Sequence, residues 1–359
     1  MHYSDKYMAY MGLAPRRIPH WESFSCPDAE TYITGIDYFE HPRSCRLKMR
    51  ELYPQLDLAI PDTDDPKPRP GNKHDPGRNT VRWGDGETAT WKHGEEFFKS
   101  VDEVLAFSPL EHADFTSWPH VVKNWDFTSE EVIYNRLRGD YPAEWGDKAP
   151  EGSTSSVSFY NTLFMWPLLT FGWELFLETC MLPGFERIID EFARINLRVF
   201  KAFARLPVNF VICHDDIVTS RGPVCSPEWM HKYIFPRYEE FWGILRYAGK
   251  EVLFMADGCM DEFADDIFAC GARGIRTEPY TDFKRIARNH KDCFLTGEGD
   301  NRILYRNNRE EIVSMVSEMV KTSKMTGGYM MGIGNHIPWN TPSEAVKLYL
   351  DLSAELACR

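Results

Sequence analysis

The sequence predicts an α/β fold, a (β/α)8 barrel with one long insertion, and three observations predict it. Eight short apolar or β-branched runs recur along the 359 residues, most of them followed by a segment with helical spacing. The runs are near-continuous in apolar residues, as expected of parallel strands covered on both faces by helices. The length exceeds the roughly 250 residues of such a barrel by about one insertion. An open doubly wound sheet is the competing arrangement, because counting units does not prove closure.

The eight runs are 18–24, 56–61, 157–164, 208–213, 251–256, 272–277, 293–297 and 328–334. Helix starts between them are readable. Ser226, Pro227 and Glu228 supply an N-cap, a proline at the first helical position and a first-turn acid. Asn308 starts another helix, with Ile312, Met315, Val316, Met319 and Val320 on one apolar stripe. Thr341 with Glu344 reads as a capping box for the last helix.

The surplus lies between the second and third strands. Residues 61–80 are too rich in Pro, Gly and charge for a core element and read as an extended loop. Residues 81–91, with Asp85 and Gly86 as the turn, read as a small hairpin. The chain is therefore expected to be one barrel domain over 1–359, with 62–152 as a lid-like insertion at its mouth.

Composition bounds the function. No apolar run approaches a membrane span, and the first residues show no charged head followed by an apolar stretch and a cleavage site. A cytoplasmic location with no membrane partner is expected. Forty-one Lys and Arg against 54 Asp and Glu give a net charge of −13, a field that repels nucleic acid. Nine scattered cysteines with no CxxC pair read as free thiols in a reducing compartment. Fifty residues are aromatic, more ring surface than a core of this size requires.

A barrel places its functional side chains at the C-terminal ends of strands. There the sequence has Asp62 after the second strand, Tyr160 and Asn161 at the third, His214, Asp215 and Asp216 after the fourth, and Asp257 with Cys259 after the fifth. Glu278 follows the sixth, Glu298 and Asp300 the seventh, Asn335 and His336 the eighth. Polar residues after strands also serve as helix caps. Several carboxylates at one mouth, however, call for a metal, shared protons or a cationic ligand. Asp, Glu and His ligands without an obligatory thiolate suit zinc or a harder metal.

The segments SPEWMHKYIFPRYEEFWGILRYAGKEVLFMADG, GARGIRTEP, FLTGEGDNRILYRNNREEI and GGYMMGIGNHIPWNTPSEAVKLYLDL resemble the uroporphyrinogen decarboxylase superfamily, particularly its corrinoid-dependent methyltransferase branch. APRRIPHWESF and LDLAIPD look like that family's first two strands. Where decarboxylases carry an arginine-rich segment for a porphyrinogen's carboxylates, this chain has PHWESFSCPD. Where the thiol-methylating branch binds zinc through His and Cys, it has Met255, Ala256 and Asp257, and Asn335.

The resemblance implies a methyltransferase that moves a methyl group from a methoxylated aromatic donor to the Co(I) of a corrinoid carried by a partner protein. It implies a divalent metal, zinc first, on Asp257, Glu278 and His336. Glu298 would be a fourth ligand or general acid, and His214 and Asn161 would orient the donor. Tyr160, Phe159, Trp166, Trp173, His20 and Trp21 would stack on its ring, with core packing as the alternative for each. A methylamine-type donor, a decarboxylase-like lyase using Asp62, and a non-catalytic docking subunit are the competing functions, and a homodimer is one assembly left open.

Overall fold

The computed structural model describes residues 3–69, 80–83, 87–90, 97–114 and 125–358. Each of the eight expected runs overlaps a strand: β1 His20–Trp21, β2 Leu56–Asp57, β3 Ser156–Phe159, β4 Phe210–His214, β5 Glu251–Met255, β6 Gly274–Arg276, β7 Phe294–Thr296 and β8 Gly328–Tyr329. The chain forms two compact units, one of residues 1–91, 257–259 and 276–359, the other of residues 92–256 and 260–275.

In the first unit β1 pairs parallel with β2, His20 opposite Leu56, and β7 pairs parallel with β8, Phe294 opposite Gly328. Parallel bridges from His20 to Met331 and from Phe24 to Ile337 place β1 beside the β8 segment. In the second unit β3, β4 and β5 are parallel neighbours, with Phe159 opposite Cys213 and His214 opposite Met255. Within the first unit β7 lies beside β8, and within the second the order is β5, β4, β3. Parallel strands succeeding one another in chain order, with helices between, are the topology of a (β/α)8 fold, whereas a doubly wound sheet reverses its order at a switch point.

Local sequence explains the helices. Ser226 accepts from the Trp229 amide at the start of Pro227–Tyr233, and Asn308 from the Glu311 amide at the start of Arg309–Ser323. The apolar stripe of that second helix is buried at Ile312, Met315, Val316 and Met319. The last helix, Ser343–Glu355, departs from the expected capping box. Pro342 is its N-cap, and the Thr341 hydroxyl donates to the Pro338 carbonyl at 2.8 Å instead of capping an amide.

The insertion contains an antiparallel pair, Thr80–Trp83 with Glu87–Thr90, as the hairpin reading expects, and the helices Val101–Ala106 and Glu130–Arg138. The Asp85 and Gly86 turn, and the expected loop from residue 70 to 79, lie outside the described residues. Among the described residues no helix is long and apolar enough to cross a membrane.

Candidate functional site

The first unit gathers polar side chains where its strands end. Asn335, just beyond β8, has φ 64°, a left-handed conformation that asparagine tolerates better than most side chains. Its approach to the neighbouring strand end depends on Gly334, where a Cβ would lie 2.6 Å from Pro279 and 3.0 Å from the Glu278 Cα. Asp257 belongs to a short segment held by hydroxyls: Thr277 Oγ1 and Thr281 Oγ1 donate to the Gly258 carbonyl at 2.9 and 3.3 Å.

These placements build a relay. Asn335 Nδ2 donates to Asp257 Oδ2 at 2.9 Å, which fixes the amide so that its Oδ1 faces His336 Nδ1. An amide oxygen accepts only, so the network assigns the proton to His336 Nδ1 and the lone pair to Nε2. Burial, aided by the nearby Arg276 charge, pushes the imidazole down to about 4. His336 is therefore a neutral base or nitrogen ligand at physiological pH.

His336 and Asn335 wall a cavity of about 260 Å³ together with Ser25, Glu278, Pro279, Tyr280, Asp300, Asn301, Arg302, Gly334 and Pro338. Arg302 is ion-paired with Asp300 at 2.8 Å and lies over the Tyr280 ring at 4.5 Å. Glu278 and His336 thus share one cavity, and Asp257 supports it through Asn335. Among the described residues, however, Asp257, Glu278 and His336 do not bring their ligand atoms within 4.8 Å of one another. The set does not fit a three-ligand metal site as it stands, and Asp257 Oδ2 already receives the amide.

Behind this wall lies a second network. Glu22, next to β1, is buried, and its Oε1 accepts from Tyr349 OH at 2.6 Å and the Ile333 amide at 3.0 Å, and lies 2.8 Å from His20 Nε2. His20 is fully buried within this network, so it holds Glu22 instead of offering a face for stacking. Trp21 is covered by the Arg276 guanidinium, 4.2 Å above its ring. Glu298 points to the helix layer: Thr322 Oγ1 and Tyr329 OH donate to it at 2.7 and 2.6 Å. Burial raises its carboxyl to about 7, with those two donors acting the other way.

In the second unit the His214 Nε2 atom lies 3.0 Å from Asp216 Oδ1, and the Tyr160 ring meets the imidazole edge-on with centroids 4.4 Å apart. Asn161 is fully buried, and neither its amide nitrogen nor its oxygen has a hydrogen-bond partner among the described residues. Asp215 is a helix cap: it accepts from the Leu163, Phe164 and Met165 amides and from Tyr238 OH, all within 2.7 Å. Trp166 belongs to the core, donating to Asn196 Oδ1 at 2.9 Å and stacking on Phe192, which removes it as a surface for a ligand ring. Phe159 packs edge-on against Phe200 and Phe203. Trp173 is partly exposed, and Asp62 is exposed, with its carbonyl accepting from Arg43 at 3.3 Å.

The sequence reading passed over Arg276, Glu22 and Tyr349. A charged residue ending the apolar run GARGIR is a signal that points to the first. Tyr349 lies on the buried stripe of its helix, where a tyrosine looks like any other core ring.

No curated protein matches. Among solved structures, a D-psicose 3-epimerase with D-tagatose from Clostridium cellulolyticum H10 is 12% identical, covering 74% of this chain and 92% of its own, with a TM-score of 0.32. A xylose isomerase-like TIM barrel protein from Mycobacterium smegmatis in complex with magnesium is 10% identical, covering 73% and 100%, with a TM-score of 0.27. Residues 183–356, just under half of the chain, match the family described as Uroporphyrinogen decarboxylase (URO-D).

Proposed function

We propose that this protein is a methyltransferase that takes a methyl group from a methoxylated aromatic donor and passes it to the Co(I) of a corrinoid carried by a separate protein. The observation that carries the reading is the cavity beside Glu278 and His336. At about 260 Å³ it suits a single substituted ring and is small for a tetrapyrrole. Its lining arginine, Arg302, is already paired with Asp300, so the cavity lacks the cluster of cations that a porphyrinogen's many carboxylates require.

The transfer breaks the bond between methyl carbon and aryl oxygen, and the electron pair remains on the oxygen. The chain's residues bind the ring against Tyr280, keep the reacting bond in a small space and meet the leaving oxygen. Glu278 is the carboxyl positioned for that last task, because Glu298 is held by Thr322 and Tyr329 in the helix layer. His336, neutral at physiological pH, lines the cavity without adding charge beside the donor, and the aryl oxygen that keeps the electron pair takes its proton from Glu278 or from solvent.

Mixing the protein anaerobically with a reduced corrinoid protein and a panel of methoxyarenes and methylamines tests the reading. The expected result is conversion of the Co(I) spectrum to that of the methylated corrinoid with a methoxyarene. Conversion only with methylamines moves the donor class, and no conversion across the panel overturns the reading.

A further inference from the structure

The second unit sets two thiols against each other. Cys180 closes the helix Trp173–Thr179, its amide donating to the Phe176 carbonyl, and Cys225 stands immediately before Ser226, the N-cap of the helix Pro227–Tyr233. The two are 45 residues apart in the chain, yet the Cys225 thiol donates a hydrogen bond to Cys180 Sγ. Trp229 holds both segments in place. Its amide donates to the Ser226 hydroxyl beside Cys225, its indole Nε1 donates to the Cys180 carbonyl at 3.0 Å, and its ring packs edge-on against Phe164 and Phe176. Burial pushes up the thiols of Cys26, Cys45, Cys213, Cys270 and Cys293, which keeps them protonated and inert. Cys180 goes the other way: the hydrogen bond from Cys225 favours its thiolate, and holding that proton pushes Cys225 up.

Such a pair has the parts of a peroxide-sensitive dithiol, one sulfur to attack and one to resolve. We propose that Cys180 and Cys225 form a redox modification site that hydrogen peroxide converts to a disulfide. The Cys180 thiolate attacks one peroxide oxygen, the O–O bond breaks and hydroxide leaves, so that the sulfur loses two electrons and becomes a sulfenic acid. The Cys225 sulfur then displaces that oxygen as water and forms the S–S bond, so two thiols and one peroxide become one disulfide and two waters. Sulfurs already in hydrogen-bond contact need a short side-chain movement to reach the roughly 2 Å of a disulfide. Exposures of 6% for Cys180 and 8% for Cys225 admit a molecule as small as peroxide. The cross-link closes a loop that contains the long helix Phe185–Arg205 and strand β4, and its chemistry is independent of methyl transfer.

The test treats the full chain, without denaturant, with a few equivalents of hydrogen peroxide, blocks the remaining thiols with N-ethylmaleimide and maps the unreduced peptides by mass spectrometry. The expected product is a peptide pair joined through Cys180 and Cys225, lighter by two hydrogens and released by dithiothreitol, formed at least about 10-fold faster than any oxidation of Cys213 or Cys293. In Cys225→Ser the sulfenic acid at Cys180 should persist and be trapped by dimedone, and Cys180→Ser should show neither link nor adduct. The oxidised chain should unfold at a higher urea concentration than the reduced one, a response that both serine variants lose while still unfolding cooperatively. A different cysteine pairing, a link that forms only in denaturant, or oxidation of Cys180 no faster than that of Cys213 overturns the assignment.

Discussion

The two compact units put their buried polar groups to different uses. The second fills its interior with rings: Trp166 on Phe192, Phe200 on Phe241 and Tyr238 on Trp242 are stacked pairs, with Phe164, Phe171 and Phe176 packed edge-on among them. The first buries Glu22 with His20 and Tyr349 and sets Arg276 over Trp21, and it half-buries the Asp257, Asn335 and His336 relay at its strand ends, whereas the acid that the second unit buries most completely, Asp215, serves as a helix cap. Ring burial removes apolar area from water and needs no further purpose. Holding ionisable groups away from water is costly unless they are paired, so polar networks gathered at strand ends point to where chemistry is to be sought. Most of the aromatic surplus therefore belongs to stability, and the acidic surplus is where function is to be sought.

The sharpest way to break this comparison is to remove a ring. Trp166→Ala deletes a fully buried indole and leaves Asn196 Oδ1 without its donor, so unfolding in urea should show a loss of about 3–5 kcal/mol. Activity per folded molecule should be unchanged within a factor of about two, because the indole faces Phe192 and Phe127. A Trp166→Ala protein that is stable but inactive would return the aromatic surplus to the substrate.

Next in size is the pH response of the buried acids. Glu298 has its carboxyl raised by burial from 4.5 to about 7, so its contribution to stability is full below pH 4.5 and is lost as pH rises to about 7. At 1.36 kcal/mol per unit the swing is at most about 3 kcal/mol, and Glu298→Gln should abolish it when unfolding free energies are compared between pH 4.5 and 7.5. His336 has the opposite sign. Its folded value of about 4 lies below the usual 6.5, so the stability tied to neutral imidazole is present above pH 6.5 and lost as pH falls towards 4. In the double variant Glu298→Gln, His336→Gln both slopes should vanish. A Glu298→Gln variant that keeps the full slope would show that the acid is ionised and solvated.

The relay itself gives a smaller effect that is specific to function. Asn335→Ala removes the amide that donates to Asp257 Oδ2 and accepts from His336 Nδ1. We expect activity to fall about 10- to 100-fold, as when the group that orients a catalytic histidine is lost. The control is the imidazole nitrogen spectrum of His336, which should show the proton on Nδ1 in the unmodified chain and a mixture in Asn335→Ala. Lost activity with an unchanged tautomer would reduce the relay to packing.

Much of this was legible before any coordinates. Runs such as VNFVIC and EVLFMA carry their strand identity in apolar continuity, and Ser226 and Asn308 announce their helices because a cap is a local, short-range event. Thr341 misled because its hydroxyl has a nearer carbonyl, Pro338, than the amide a capping box requires. Glu278, Asp257 and His336 were visible as strand-end residues, but which atom each presents was not. Asp257 works through Asn335, and no spacing rule encodes a contact between residues 78 apart. His20 and Trp166 were read as stacking surfaces because a sequence shows ring type but not which side of a strand or helix the ring occupies.

The smallest expected effect closes the comparison at the exposed end of β2. Asp62 lies on the surface, and its described contact is through the backbone, from Arg43. Asp62→Asn should change unfolding free energy by less than about 0.5 kcal/mol, the ordinary range for a surface substitution away from caps and networks. The same variant discriminates between chemistries. A lyase that stabilises a pyrrole-like cation with this carboxylate loses the charge it depends on, and turnover should fall by orders of magnitude, whereas methyl transfer at the Glu278 and His336 cavity should proceed within a factor of about two of the unmodified rate. Measuring methylation of the corrinoid by Asp62→Asn beside Glu278→Gln decides the matter. Loss in the second and not the first keeps the chemistry at the cavity, and loss in the first moves it to β2.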